Sequence, residues 1–348
     1  MDLAPGGTVT ALEAAGAAGR KTIDFNDGWT FALATADTLL GTTMAQKRQF
    51  VANGLPEVEG YVTEEIIQPD FDDSAWRTVN TPHDWAIEHG WTNGSGSGRG
   101  SGGFQGGLGY YRKTFFAPDE IEANDERVII NFESIMQNPW VYLNGEFIGS
   151  YPNGYTGFAF DISDKIRYGQ NNELVIKVNA AGPYSRWYYG AGIIRPVTVI
   201  VSGEVYFNRF GVRLTTPDLK DYYKNDGSAL LHVSADWTRP ARTMNHSLNM
   251  KTTVFDADGN KVAEATAFDG FDENATSGSF NYQLDVTVPN VKLWYTWNLG
   301  DPYRYTVRTE LFGKRQGEDE VRTLDVVEEK FGFRWIEIQK VDLTDRST

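Results

Sequence analysis

The chain has 348 residues, 41% of them hydrophobic and 14% aromatic, with 32 Lys and Arg against 47 Asp and Glu for a net charge of −15. That apolar fraction is enough for real cores and excludes low-complexity disorder over most of the chain, while the acidic balance repels phosphate backbones and anionic lipid, so neither nucleic acid nor a membrane is expected as a partner. Cysteine is absent, which removes disulfide frameworks, thiolate metal sites, Fe–S clusters and thiol nucleophiles together.

Length predicts two domains with part of a third. Residues 1–22 are small and polar and read as a flexible leader. They lack a basic segment followed by an apolar one, so no secretion signal is read, and the compartment stays open with a lean to the cytoplasm. Structure is expected to start at Ile23–Phe31, an aromatic alternation around Asp27-Gly28. A marginal helical pattern covers Thr38–Phe50. Short strands follow at Tyr110–Phe116, Arg127–Phe132, Trp140–Leu143, Gly157–Phe160, Glu173–Val178 and Val197–Val201. Asn144-Gly145 lies between alternating runs and predicts a type I′ hairpin; Asp256–Asn260 predicts a second of the same kind.

A boundary is expected near residues 203–210, after which plainer strands continue at Leu230–Ala235, Ser247–Phe255, Phe280–Val288, Tyr303–Leu311 and Arg322–Glu328. That density of strands and turns predicts a mostly β chain, its second half an immunoglobulin-like sandwich. Phe331–Ile338 reads as one more β segment, opening a further domain.

Several motifs carry two readings each. The glycine-rich run Gly94–Gly109 lacks the Gly-Lys-Ser/Thr ending of a phosphate loop, which leaves a flexible surface loop or an adaptable lip over a cleft. In Thr81-Pro82-His83-Asp84-Trp85 an imidazole stands beside a carboxylate; a catalytic triad would need a nucleophile held by the histidine. The plainer reading is an ordered loop in which Asp84 caps amides and Trp85 packs. Asp256-Ala257-Asp258-Gly259-Asn260 imitates a calcium loop but lacks its closing glutamate, so a hairpin turn is expected. The densest constellation is Gly182–Pro196, whose Trp, Tyr and Arg suit either a sugar or a sandwich core. The four histidines (His83, His89, His232, His246) have no metal-ligand spacing. No paired carboxylates stand out as the acid and nucleophile of a glycosidase.

Taken in order, these pieces resemble the N-terminal region of glycoside hydrolase family 2, in particular its β-galactosidase branch. The matching segments are Phe25–Trp29, Phe71–Trp76 with Thr81–Trp85, Gly106–Phe115, Val141–Gly149, Gly154–Phe158, Ser185–Val197, Leu293-Trp294 with Asp301–Tyr305, and Phe331–Arg334. The resemblance implies a jelly-roll sugar-binding sandwich over residues 23–203, an immunoglobulin-like sandwich over 204–330, and in 331–348 the entrance to a (β/α)₈ barrel that the chain lacks. It also implies a retaining exo-β-glycosidase that hydrolyses terminal β-D-galactosyl residues. Both catalytic glutamates would lie in the barrel, so no catalytic residue is expected here and the chain alone should be inactive.

Carried over by motif, His83, Asp84, Gly107, Ser185, Arg186 and Trp187 would contact the terminal sugar. Ser185 stands where some members carry a carboxylate that also serves sodium, so no metal site and no cofactor are expected in this chain. A metal ion in the complete enzyme is left open. Expected partners are a β-galactoside or related sugar and the chain's own barrel, with homo-oligomerisation open. The alternatives are a stand-alone carbohydrate-binding module or a purely structural pair of sandwiches.

Overall fold

Alternating apolar residues between turn signals fold as strands throughout the described residues. The computed structural model describes residues 9–33, 63–89, 106–180, 190–239, 246–268, 278–315 and 319–337. It divides into two units, one of Met1–Gly16 with Lys21–Ser202, the other of Ala17–Arg20 with Gly203–Thr348.

The first unit contains, in chain order, β1 (Thr10–Ala11), β2 (Arg20–Asp24, counted here from Lys21), β3 (Trp29–Leu33), α1 (Thr63–Ile66), β4 (Arg77–Val79), α2 (Trp85–His89), β5 (Gly107–Ala117), α3 (Asp119–Ala123), β6 (Arg127–Phe132), β7 (Pro139–Leu143), β8 (Glu146–Ser150), β9 (Phe158–Asp161), β10 (Gln170–Ala180) and β11 (Val197–Ser202). One sheet runs β4-β3-β5-β10-β7-β8, with β1 parallel to β5; the other runs β2-β11-β6-β9. Their facing sides enclose a core that includes Phe25, Trp29, Tyr111, Phe115, Phe132 and Val199.

Strand β5 is buried on both faces because a second apolar layer lies over the sheet. Ile66, Ile67, Phe71 and Trp76 cover Leu108, Tyr110 and Val175 there. Arg112 is buried in this layer at 2% exposure, where an unpaired charge would be very costly. Its guanidinium donates to the Ile66 carbonyl and to that of Gln68, and Asp73 and Glu173 each stand 3.4 Å away.

From residue 9 onward, the expected leader is part of the fold. Thr10 and Ala11 pair with Phe115 and Phe116, and Leu12 is 3% exposed. The buried Glu126 carboxylate accepts the amides of Ala15 at 3.0 Å and Gly16 at 2.7 Å. A small, polar composition hides such anchoring, because the partners sit about a hundred residues away. The helical pattern at 38–50 lies outside the described residues.

The second unit contains β12 (Tyr206–Thr215), α4 (Leu219–Asp226), β13 (Ala229–Arg239), β14 (His246–Phe255), β15 (Lys261–Phe268), β16 (Gly278–Val288), β17 (Tyr305–Arg315) and β18 (Arg322–Phe331). Sheets β12-β13-β16 and β15-β14-β17-β18 enclose a core around Trp237, Met250, Val286, Val307 and Leu311. β13 buries every second residue, as a sandwich strand with one wet face should. Residues 331–337, expected to open a barrel, belong to this sandwich instead. Phe333 is fully buried, edge-on to Tyr305 and Phe331, and its carbonyl accepts the Trp294 amide at 2.8 Å. A phenylalanine that size is placed by the core that can bury it. Residues 338–348 lie outside the described residues.

Candidate functional site

The turn at His83–Trp85 is built by backbone pairing to residues 190–193. The His83 amide donates to the Ile193 carbonyl at 2.7 Å, and the Trp85 amide to the Ala191 carbonyl at 3.0 Å. Asp84 Oδ1 accepts the amides of Ala86 and Ala191, each at 3.0 Å. Gly192 is required where the two segments meet. Its φ is +127°, and a Cβ there would stand 2.4 Å from the Tyr111 hydroxyl and 2.5 Å from the His83 carbonyl.

Side chains then fix the turn from within. Trp85 is fully buried, stacks on Phe31 at 5.5 Å, and donates its indole N–H to the Gly106 carbonyl at 3.2 Å. His83 is 6% exposed. Its Nδ1 stands 2.6 Å from the Tyr111 hydroxyl, while Nε2 faces Glu88 at 3.2 Å and Arg77 at 3.0 Å. Arg77 and Glu88 are themselves paired.

Burial holds the His83 pKa below its usual value, so the ring is neutral at pH 7. Burial also pushes the Tyr111 hydroxyl far above the usual tyrosine range. Burial alone would raise Glu88, but hydrogen bonds from Arg77 and His83 hold its carboxyl down. Among the described residues, the groups facing His83 are Tyr111, Glu88 and Arg77, none of them a serine or threonine hydroxyl, and Tyr111 stays protonated. Among the described residues the arrangement is an ordered loop in which no nucleophile is held by the histidine. It holds the Asp84 carboxylate in a fixed place, half-buried and tied to two amides.

Gly107 opens β5 with φ +125°, opposite Ala180, the last residue of β10. Through Trp85 and the Gly106 carbonyl it belongs to the same end of the sandwich as His83 and Asp84. Ser185, Arg186 and Trp187 lie outside the described residues, as do 94–105 of the glycine-rich run, whose remaining residues open β5. Yet the described neighbours on either side of residues 181–189 both reach this end: Ala180 through Gly107, and Gly190–Ile193 through the His83–Trp85 turn. Sequence reasoning missed Tyr111, Arg77 and Glu88. Glu88 sits one short helix beyond His83, but nothing in the spacing of Tyr111 announces it.

Among the described residues, no group of three or more His, Asp or Glu side chains is placed to hold a metal ion, and no helix is long and apolar enough to cross a membrane. The Asp256–Asn260 segment is a turn. Asp256 Oδ1 accepts the amides of Asp258 at 3.0 Å and Asn260 at 2.8 Å, which fixes the loop without an ion.

Comparison with known proteins gives this end of the molecule a context. A model described as glycosyl hydrolases family 2 matches residues 212–334, and one described as glycosyl hydrolase 2 galactose-binding domain-like matches residues 110–188. The β-galactosidase BoGH2A of Bacteroides ovatus is 31% identical over 260 residues, covering 74% of this chain and 29% of that protein. A putative β-glucuronidase of Formosa agariphila is 30% identical over 274 residues, covering 77% of this chain and 24% of its own. The solved structure of a β-glycosidase from Bacteroides vulgatus aligns over 91% of this chain and 34% of its own, with TM-score 0.66 and 25% identity. The chain thus spans less than a third of either curated relative.

Proposed function

The chain belongs to glycosyl hydrolases family 2, as N-terminal domains of that family, and on that premise we propose that it supplies the jelly-roll and immunoglobulin-like sandwiches of a retaining exo-β-glycosidase acting on terminal β-D-galactosyl residues. The observation that carries this reading is the clamp between the His83–Trp85 turn and Gly190–Ile193. It gathers Asp84, Gly107 and both flanks of the segment holding Ser185, Arg186 and Trp187 at one end of the first sandwich. Asp84 accepts a hydroxyl of the terminal sugar, the neutral His83 holds the turn in place, and Gly107 lets the backbone approach the ring closely. The acid and the nucleophile, which a retaining mechanism places about 5–5.5 Å apart on rigid scaffolding, are carried by residues outside these 348.

A β-glucuronide is the second reading, favoured by the likeness to the Formosa protein. The purified 348-residue chain, tested at high concentration with chromogenic β-galactoside and β-glucuronide, is expected to hydrolyse neither. Turnover that survives repurification would mean that carboxylates within these sandwiches do the chemistry. Ligand-observed NMR with the two methyl glycosides then distinguishes the sugars, with the galactoside expected to bind and the glucuronide not.

A further inference from the structure

The loop at residues 151–157 of the first unit presents a tyrosine ring to solvent from a backbone held on both sides. The Tyr151 and Thr156 hydroxyls are hydrogen-bonded at 2.8 Å, the Tyr155 amide donates to Asn153 Oδ1 at 2.9 Å, and the Ser134 hydroxyl donates to the Gly154 carbonyl. Tyr151 also stacks on Phe158 at 4.8 Å. Gly154 lies flat on the neighbouring segment: a Cβ there would stand 2.2 Å from Met136 Sδ and 3.2 Å from Gln137 Cβ. Tyr155 is nevertheless 62% exposed. Among the described residues, neither its ring nor the Gln137 side-chain amide has a partner.

The segments that carry these two groups are joined by a run of contacts to the turn that carries Asp84. Met136 exchanges both backbone hydrogen bonds with Gly192, at 2.8 and 2.7 Å. Gly192 in turn lies against the His83 carbonyl and the Tyr111 hydroxyl. The chain of contacts runs from Asp84 through Ala191, Gly192 and Met136 to Gly154, with Gln137 and Tyr155 next in sequence to its far end.

We propose that Tyr155 and Gln137 form a second saccharide contact beside Asp84, taking the neutral pyranose next to the terminal sugar of a longer glycan; this rests on the reading of the Asp84 turn as a terminal-sugar subsite. An aromatic face matches the C–H face of a pyranose. A primary amide carries two donors and an acceptor with no net charge, as vicinal hydroxyls require. A single exposed ring is far below the roughly 800 Å² per partner of a stable protein interface. A small polyol fits it and a protein partner does not. The anchored loop also means that the ring is placed before the sugar arrives, so little ordering cost is left to binding.

The test is saturation-transfer NMR on the whole 348-residue chain, with methyl β-D-galactopyranoside as the one-ring probe and lactose as the two-ring probe. Tyr155→Ala should raise the lactose Kd threefold or more and change that of the methyl galactoside by less than 1.5-fold. Tyr155→Phe, which keeps the ring, should hold both within twofold, and Gln137→Ala should follow Tyr155→Ala. Asp84→Asn should weaken both sugars. Loss of both sugars with Asp84→Asn but of neither with Tyr155→Ala overturns this inference alone. An equal loss of both with Tyr155→Ala overturns it as well, because the ring would then act on the loop rather than on the second sugar. Absence of any transfer from the wild-type chain overturns this inference and the subsite reading together.

Discussion

Lys113 shows how a single side chain can set a pH dependence for the first sandwich. It is 2% exposed, donates to the Asp27 carbonyl, and lies over the rings of Phe25 at 4.7 Å and Trp29 at 5.8 Å. Burial lowers its pKa from 10.5 to about 8, despite the nearby charges of Asp27 and Asp24. A base with a lowered folded pKa is protonated more readily in the unfolded chain, so stability rises as pH climbs from about 8 toward 10.5. Thermal melts of the wild type compared with Lys113→Met, at pH 8 and pH 10, should show the wild type gaining about 2 kcal/mol relative to the variant. A constant difference across that window would show that the amine is solvated in the folded state. Its place in the Gly106–Phe115 segment did not announce its burial, which follows from strands that meet it only in the fold. His83 differs only in part: its motif was visible in Thr81–Trp85, while the ring's partners, Tyr111 and Arg77 among them, had to be found in space.

Elements were legible where the decisive chemistry is local. Asn144 and Gly145 have φ of +53° and +86° and connect Leu143 directly to Glu146, the two-residue type I′ turn that their sequence predicts. The second hairpin is of another kind. Phe255 pairs with Lys261 after a register shift, which leaves a five-residue loop with Gly259 at φ +85°; side-chain capping by Asp256 set that length. α2 is too short at five residues for any 3.6-residue period to emerge. α4 carries its apolar positions at Leu219, Tyr222 and Tyr223 and closes on Gly227 at φ +78°, yet two turns do not rise above the surrounding β pattern. The irregular segment at Gly190–Ile193, on which the candidate site depends, lies inside the run Gly182–Pro196 that stands out in the sequence, but its pairing with the His83–Trp85 turn had to be found in space. Gly192→Ala should displace the His83–Trp85 turn, since a backbone carbonyl stands 2.5 Å from the new methyl group. The expected cost is about 2 kcal/mol or more, with the His83 ring resonances shifted in NMR. Unchanged resonances would show that the two segments separate without consequence for the site.

At the scale of the whole molecule, the units do not coincide with contiguous stretches of chain. The second takes residues 17–20 from far upstream, and the reason is electrostatic. Asp325 is fully buried, and Arg20 meets it with two hydrogen bonds of 2.7 Å from Nε and Nη2, while the Phe207 amide adds a third at 2.7 Å. Burial pushes the Asp325 carboxyl above its ordinary value, against the pull of Arg20 and the amides. For an acid with a raised folded pKa, its contribution to stability is complete below the usual carboxylate value and is lost as pH rises through the folded value. Removing one partner of a buried pair leaves the other charge uncompensated, at about 3–5 kcal/mol. Asp325→Asn should therefore destabilise the 348-residue chain, because Arg20 loses its counter-charge. In a shortened chain of residues 203–337, which has no Arg20, the same substitution should act in the opposite direction, because a neutral amide replaces an unpaired buried carboxylate. Urea melts of the four proteins at pH 7 decide the matter. A substitution that destabilises both lengths alike would assign Asp325 to its backbone amides and leave residues 17–20 with no role in holding the second sandwich.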